Sequence, residues 1–161
     1  MSERMEVVWT VEEESGTVQL AKALANWAVP GMVLALDGDL GAGKTRFSQA
    51  FAQGIGVPGI VNSPTFTIIK EYKGTLLPLY HMDVYRLSEP EADELGLDEY
   101  FFGNGVTIVE WASLIEALLP PNRMQIYIAH LGGEARRITI TGIGSQYAAW
   151  CSQLQGIQNG S

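Results

Sequence analysis

The sequence runs to 161 residues, 47% hydrophobic and 17% charged, a balance that suits one packed domain and excludes a disordered or fibrous chain. Its 18 acidic and 10 basic residues leave a net charge of −8, and the densest basic pair, Arg136–Arg137, is too small to grip a phosphate backbone, so any contact with nucleic acid is expected through a partner. Cys151 is the single cysteine, Met1–Glu6 has no apolar core and the longest apolar run is only Met32–Leu36, so no disulfide, secretion signal or membrane span is expected and a cytoplasmic location is.

In chain order, Val7–Thr10 reads as a short edge strand. Residues 15–28 carry helical periodicity through Val18, Ala21, Leu24 and Ala25, with Ser15 or Thr17 as cap and Pro30–Gly31 as stop. Met32–Asp37 is a continuous apolar strand that runs into glycine-rich sequence, and a helix from about Lys44 to Gln53 follows, closed by Gly54 and Gly56. Asn62–Phe66 is a loop around Pro64. Thr67–Tyr72 and Leu76–Asp83 predict an antiparallel hairpin turned at Lys73–Gly74, in which Pro78 calls for an edge position or a later start.

Glu89–Leu95 reads as a short acidic helix extended by Leu97–Phe102, and Val106–Glu110 as a buried strand. Leu114–Leu118 is a helical turn ended by Pro120–Pro121. Met124–His130 and Arg136–Thr141 alternate as a hairpin about Gly132–Gly133, and Ser145–Leu154 predicts a terminal helix with a frayed tail over Gly156–Ser161. With no repeats or linkers, the order predicts a single α/β domain of 161 residues, a three-layer sandwich whose mixed sheet is parallel at its centre and antiparallel at its edges.

Gly38–Thr45, GDLGAGKT, matches G-x-x-x-x-G-K-[ST] at every fixed position, with an apolar strand before it and an amphipathic helix after it, and so predicts a P-loop NTPase fold. Glycines let successive amides turn toward phosphate oxygens, and the helix N-terminus adds unpaired N–H groups and a dipole that favours anions. Lys44 would reach the β- and γ-phosphates, and the Thr45 hydroxyl would ligate Mg²⁺.

An acidic partner for that ion belongs at the end of a neighbouring strand. Two candidates qualify, Glu110 after Thr107–Val109 and Asp83 after Leu79–Met82. Ser63–Phe66 could sense a γ-phosphate as a switch-like loop or be an ordinary proline turn. Trp111 is either core or a contact to the nucleotide, His81 reads as a packed, hydrogen-bonded side chain, and Cys151 and His130 receive no role. No Asn/Thr-Lys-x-Asp segment occurs, which favours ATP over GTP.

Four segments in order, GDLGAGKT (38–45), SPTF (63–66), HMDVYR (81–86) and VEW (109–111), resemble the bacterial TsaE (YjeE) family of tRNA threonylcarbamoyladenosine biosynthesis proteins over about residues 8–140. The resemblance implies an ATPase acting with a TsaD-type ligase and a TsaB-type scaffold, which together modify the adenosine at position 37 of tRNAs reading ANN codons. It implies that Thr45 and Glu110 bind Mg²⁺, that Gly41, Ala42, Gly43, Lys44, Thr45 and Trp111 contact ATP, and that Asp83 assists hydrolysis or holds metal-bound water, making Lys44, Asp83 and Glu110 the catalytic set. Thr10 and Glu12 fall where the family's N-terminal segment approaches the nucleotide, whereas Leu131–Arg137 and the chain beyond Gly142 depart from its pattern. The tRNA is then reached only through the complex. Two other readings compete: a small-molecule kinase, which would want an arginine-bearing lid where only the isolated Arg86 and Arg123 occur, and a nucleotide-gated binding module.

Overall fold

The computed structural model describes residues 3–39, 41–59, 61–62 and 68–160. The elements are β1 (Arg4–Val11), α1 (Glu14–Ala25), β2 (Val33–Gly38), α2 (Lys44–Gly54), β3 (Ile69–Tyr72), β4 (Leu79–Asp83), α3 (Glu89–Asp93), α4 (Asp98–Phe101), β5 (Val106–Glu110), a 3-10 helix (Ala112–Leu118), β6 (Arg123–Gly132), β7 (Ala135–Ile143) and α5 (Ser145–Gly160). Among the described residues the strands form one sheet in the order β1–β7–β6–β2–β5–β4–β3. Pairing is parallel for β6–β2, β2–β5 and β5–β4, and antiparallel for β1–β7, β7–β6 and β4–β3. The mixed sheet expected from the sequence is therefore present.

The apolar run of β2 has a physical cause: a central parallel strand is covered on both faces, and successive side chains point to opposite ones. Leu34 and Leu36 join Ile108, Ile126 and Ile140 under α1, α2 and α5. Val33 and Ala35 join Val109, Phe101 and Ile115 under α3, α4 and the 3-10 helix. That is the third layer. Each fully buried leucine or phenylalanine in these clusters contributes roughly 1.5–3 kcal/mol over exposure.

Several elements differ from their sequence expectation, each for a local reason. β4 begins at Leu79 and is flanked by β5 and β3, so Pro78 marks a later start and not an edge. Its carbonyl still accepts a hydrogen bond from Val106 N at 3.0 Å. The acidic helix does not extend: Gly96, at φ 66°, separates α3 from α4. α1 starts with Glu13 in the cap position and no side-chain cap, rather than at Ser15 or Thr17, since Thr17 is buried and a Cβ at Gly16 would lie 2.6 Å from Val11 Cβ.

The largest departure is at the C-terminus, where α5 continues to Gly160 in place of the frayed tail. Long-range contacts hold it. Trp150 stacks on Trp27 with ring centroids 6.5 Å apart, Val33 N donates to the Tyr147 hydroxyl at 2.8 Å, and Gln158 Nε2 donates to Val8 O at 3.2 Å on the edge strand β1. Among the described residues no helix is long and apolar enough to cross a membrane.

Cys151, on α5, is fully buried, and burial pushes its thiol up to about 11. At pH 8 only about one part in a thousand is thiolate, the reactive form. Alkylation by iodoacetamide at that pH is therefore expected to be at least roughly a hundredfold slower in the native protein than after denaturation. Equal native and denatured rates, read by mass spectrometry, would show that α5 does not pack this face against the sheet.

Candidate functional site

The loop after β2 is placed by backbone contact with β6. Asp39 N donates to Ile128 O at 3.1 Å, and a Cβ added at Gly38 would stand 2.5 Å from that same oxygen. Only glycine fits there. Gly43 caps α2 at φ 106°, a conformation that side chains resist, and α2 opens at Lys44. The chain thus delivers a helix N-terminus to the carboxyl ends of the parallel strands, where open α/β sheets bind ligands.

A cleft of about 480 Å³ opens at that position, lined by Gly41, Gly43, Lys44, Thr45, Arg46, Gln49, Asp83, Glu110 and Trp111. The sheet register explains the convergence: Glu110 lies opposite Leu36 on one side and opposite Asp83 on the other. Lys44 is 7% exposed and folds back, its Nζ donating to Gly38 O at 3.1 Å and Asp39 O at 3.2 Å and sitting 4.3 Å from the Trp111 ring centroid. These are contacts that an anion in the loop would replace.

The two acidic residues sit in different surroundings. Glu110 is buried and shares a 2.6 Å hydrogen bond between its Oε2 and His81 Nε2. His81 is fully buried, as its reading as a packed side chain expects, and its Nδ1 has no hydrogen-bond partner among the described residues. Asp83 accepts a hydrogen bond from Tyr85 N at 3.0 Å. Burial, with the Glu110 charge beside it, pushes its carboxyl above the usual aspartate range.

Trp111, half-buried against the cluster of Val109 and Ile115, also lines the cleft, and it is the non-glycine residue with positive φ among those described (φ 62°). Its N–H donates to Leu36 O at 2.9 Å, and its ring packs 4.8 Å from that of Tyr85. Such a conformation costs about 1–3 kcal/mol and persists only where neighbours enforce it.

Thr10 and Glu12 line a separate hollow with Trp9, Gly16, Gln19 and Gln158, and not the cleft. The switch-like segment Ser63–Phe66 lies outside the described residues. Arg86 is exposed, and Arg123 is tied to Gln125 and Pro120 O away from the cleft. Residues that the sequence did not single out also touch the loop. The Asp39 carboxylate accepts from His130 N at 2.9 Å and from the Tyr127 hydroxyl at 3.1 Å, contacts that hold its carboxyl below the usual range. Arg136 Nε donates to Ala42 O at 2.8 Å. Asp37 accepts from Ser113 N and Oγ, pinning the start of the 3-10 helix to β2. In the sequence Arg136 stands out only as half of a basic pair; the register His130↔Arg136 is what turns it toward the loop.

Comparison with known proteins agrees with this architecture. The family model described as threonylcarbamoyl adenosine biosynthesis protein TsaE matches residues 11–138. The chain is 54% identical over 151 residues to the tRNA threonylcarbamoyladenosine biosynthesis protein TsaE of Bacillus subtilis (strain 168), covering 94% of this chain and 95% of that one. It is 41% identical over 108 residues to the protein of the same name from Synechocystis, covering 65% and 69% of the two chains. Among solved structures, Bacillus subtilis YdiB superposes with a TM-score of 0.81 at 47% identity, over 97% of this chain and 98% of that one. A phosphate-loop sandwich that matches one family across most of its length leaves a single assignment: this chain belongs to the TsaE family.

Proposed function

We propose that the chain is an ATPase that binds Mg·ATP in the cleft and hydrolyses it to support turnover of tRNA N6-threonylcarbamoyladenosine modification. The observation that carries this reading is the convergence of Lys44, Thr45, Asp83 and Glu110 on one cleft at the strand ends. The Thr45 hydroxyl and the Glu110 carboxylate are hard oxygen donors lining one cleft, the chemistry that suits Mg²⁺ completed by water and phosphate oxygens. When bound, the ion would neutralise charge developing on the phosphates.

The remaining chemistry falls to the chain itself. Lys44 would leave the Gly38 and Asp39 carbonyls for the β- and γ-phosphates. Asp83, a stronger base than a solvated aspartate because it is half-buried beside Glu110, would orient water and take its proton. Trp111 would close one wall against bulk solvent. The partners are a TsaD-type ligase and a TsaB-type scaffold, on which a surface of net charge −8 docks more readily than on RNA, so tRNA is met only within the complex.

Removing the Lys44 ammonium deletes charge-assisted bonds worth about 1.5–3 kcal/mol each. Lys44→Ala is expected to weaken Mg·ATP binding by at least roughly tenfold and to abolish hydrolysis. Calorimetric titration checks this, and wild-type affinity and turnover in the variant would sink the site assignment.

The two carboxylates should separate in their effects. Asp83→Asn is expected to lower the hydrolytic rate by roughly 10²–10⁴-fold with little change in binding. Glu110→Gln is expected to raise the Mg²⁺ concentration needed for nucleotide binding. Variants that both bind and hydrolyse like wild type would make the acidic pair structural.

Coupling to partners has its own measurement. The cleft's arginine, Arg46, is held by Glu14 at 2.8 Å, and an arginine supplied to a phosphoryl-transfer site is worth about 10³–10⁵ in rate. Steady-state phosphate release by the isolated chain is expected to be slow and to rise on adding the TsaB–TsaD-type complex. Fast release unaltered by that complex counts against the coupling.

A further inference from the structure

The start of the phosphate loop, at Gly38 and Asp39, is braced by β6, and its middle is held by a side chain from β7. Ala42 O, between Gly41 and Gly43, accepts from Arg136 Nε at 2.8 Å across 94 residues of sequence. The guanidinium is itself fixed, because its Nη1 donates to Gly133 O at 2.7 Å and Ala135 O at 2.8 Å. Ala42 and Arg136 border a small hollow with Thr17 and Glu134 on the flank away from Asp83 and Glu110, and Gly43 borders both that hollow and the cleft.

A trans peptide carries its C=O and N–H on opposite sides, and the described chain has no cis bond. The Ala42 carbonyl and the Gly43 amide belong to one peptide unit. With its oxygen drawn outward to Arg136, that unit must aim the Gly43 N–H the other way, toward the cleft. Without the restraint, a peptide preceding a glycine at φ 106° rotates at small steric cost, and the rotated form would present an oxygen to the bound anion.

We propose that Arg136 is the positioning residue of the phosphate loop, fixing the Ala42–Gly43 peptide so that the Gly43 amide is ready for a phosphate oxygen before nucleotide arrives. The ligand it serves is a polyphosphate, and the effect passes through the backbone with no contact between Arg136 and the ligand. This rests on the reading of the cleft as a nucleotide site.

The test uses the full-length protein as wild type, Arg136→Ala, Arg136→Lys and Lys44→Ala, titrated calorimetrically with ADP and with inorganic pyrophosphate in the presence of Mg²⁺. Pyrophosphate lacks the nucleoside, so it reports on the loop alone. Arg136→Ala is expected to weaken both ligands by about tenfold or more, with partial recovery in Arg136→Lys, whose ammonium can still donate to Ala42 O. In glycine-labelled protein the Gly43 amide resonance should shift in Arg136→Ala even without ligand, a change that general destabilisation does not single out.

Wild-type affinity for both ligands in Arg136→Ala overturns the proposal. So does weakened ADP with unchanged pyrophosphate, which would place Arg136 on the nucleoside. Should Arg136→Ala fail to fold, Arg136→Lys decides: wild-type affinities for both ligands together with an unmoved Gly43 resonance overturn the proposal, and weaker binding of both with a moved resonance supports it. Loss of binding in Lys44→Ala beside normal binding in Arg136→Ala removes only this inference, whereas no pyrophosphate or ADP binding by wild type removes the nucleotide-site reading beneath it.

Discussion

Close approach of two backbones, Gly38 against Ile128, sets the geometry on which the site depends. β2 lies between β5 and β6, and at its carboxyl end a single added carbon would collide with the Ile128 carbonyl. The loop therefore leaves the sheet in one direction, turns through Gly43 and starts α2 over the strand ends. Lys44 follows from that path. Its ammonium lies against the loop's own carbonyls and the Trp111 ring because the helix it begins has nowhere else to start.

The opposite wall of the cleft is a matter of register. Parallel pairing of β4 with β5 sets Asp83 beside Glu110, and His81 two residues earlier faces the same side of the strand, close enough to hold the Glu110 carboxylate. One carboxylate is thereby oriented and buried, while its neighbour reaches further into the cleft with its proton affinity raised. Two acids one strand apart acquire different chemistry from their surroundings alone. A slip of β4 by one residue in this pairing would turn Asp83 and His81 to the other face, while Glu110 stayed where β2 sets it.

The loop, its flanking strand and helix, and the two acidic strand ends were legible because each is a short run of adjacent residues with a fixed physical signature. Gly38–Thr45 needs no long-range information, and Asp83 and Glu110 each close an apolar run. Helix limits were less legible where tertiary contacts override local preference. Gly156, Asn159 and Gly160 look like a frayed end, yet Leu154 is buried and Gln158 bonds the edge strand, so the helix continues. The braces of the loop were illegible for the same reason in stronger form. Tyr127 and Arg136 reach Asp39 and Ala42 only through the pairing of β2 with β6 and β6 with β7, across 88 and 94 residues of sequence. Nothing local distinguishes that arginine from Arg137 beside it.

The sheet's order also sets a schedule for biosynthesis. β1 leaves the ribosome more than a hundred residues before its partner β7, and α5, which covers both, follows β7. The phosphate loop is translated early in the same way and must wait for Ile128, His130 and Arg136. At about 5–20 residues per second, that leaves several seconds in which an emerging chain carries the glycine-rich sequence with none of its supports. A nascent or truncated chain ending before β6 would hold the whole motif and still lack the frame that shapes it. The loop therefore gains its supports only with the final third of the residues described, when β6 and β7 pair beside it.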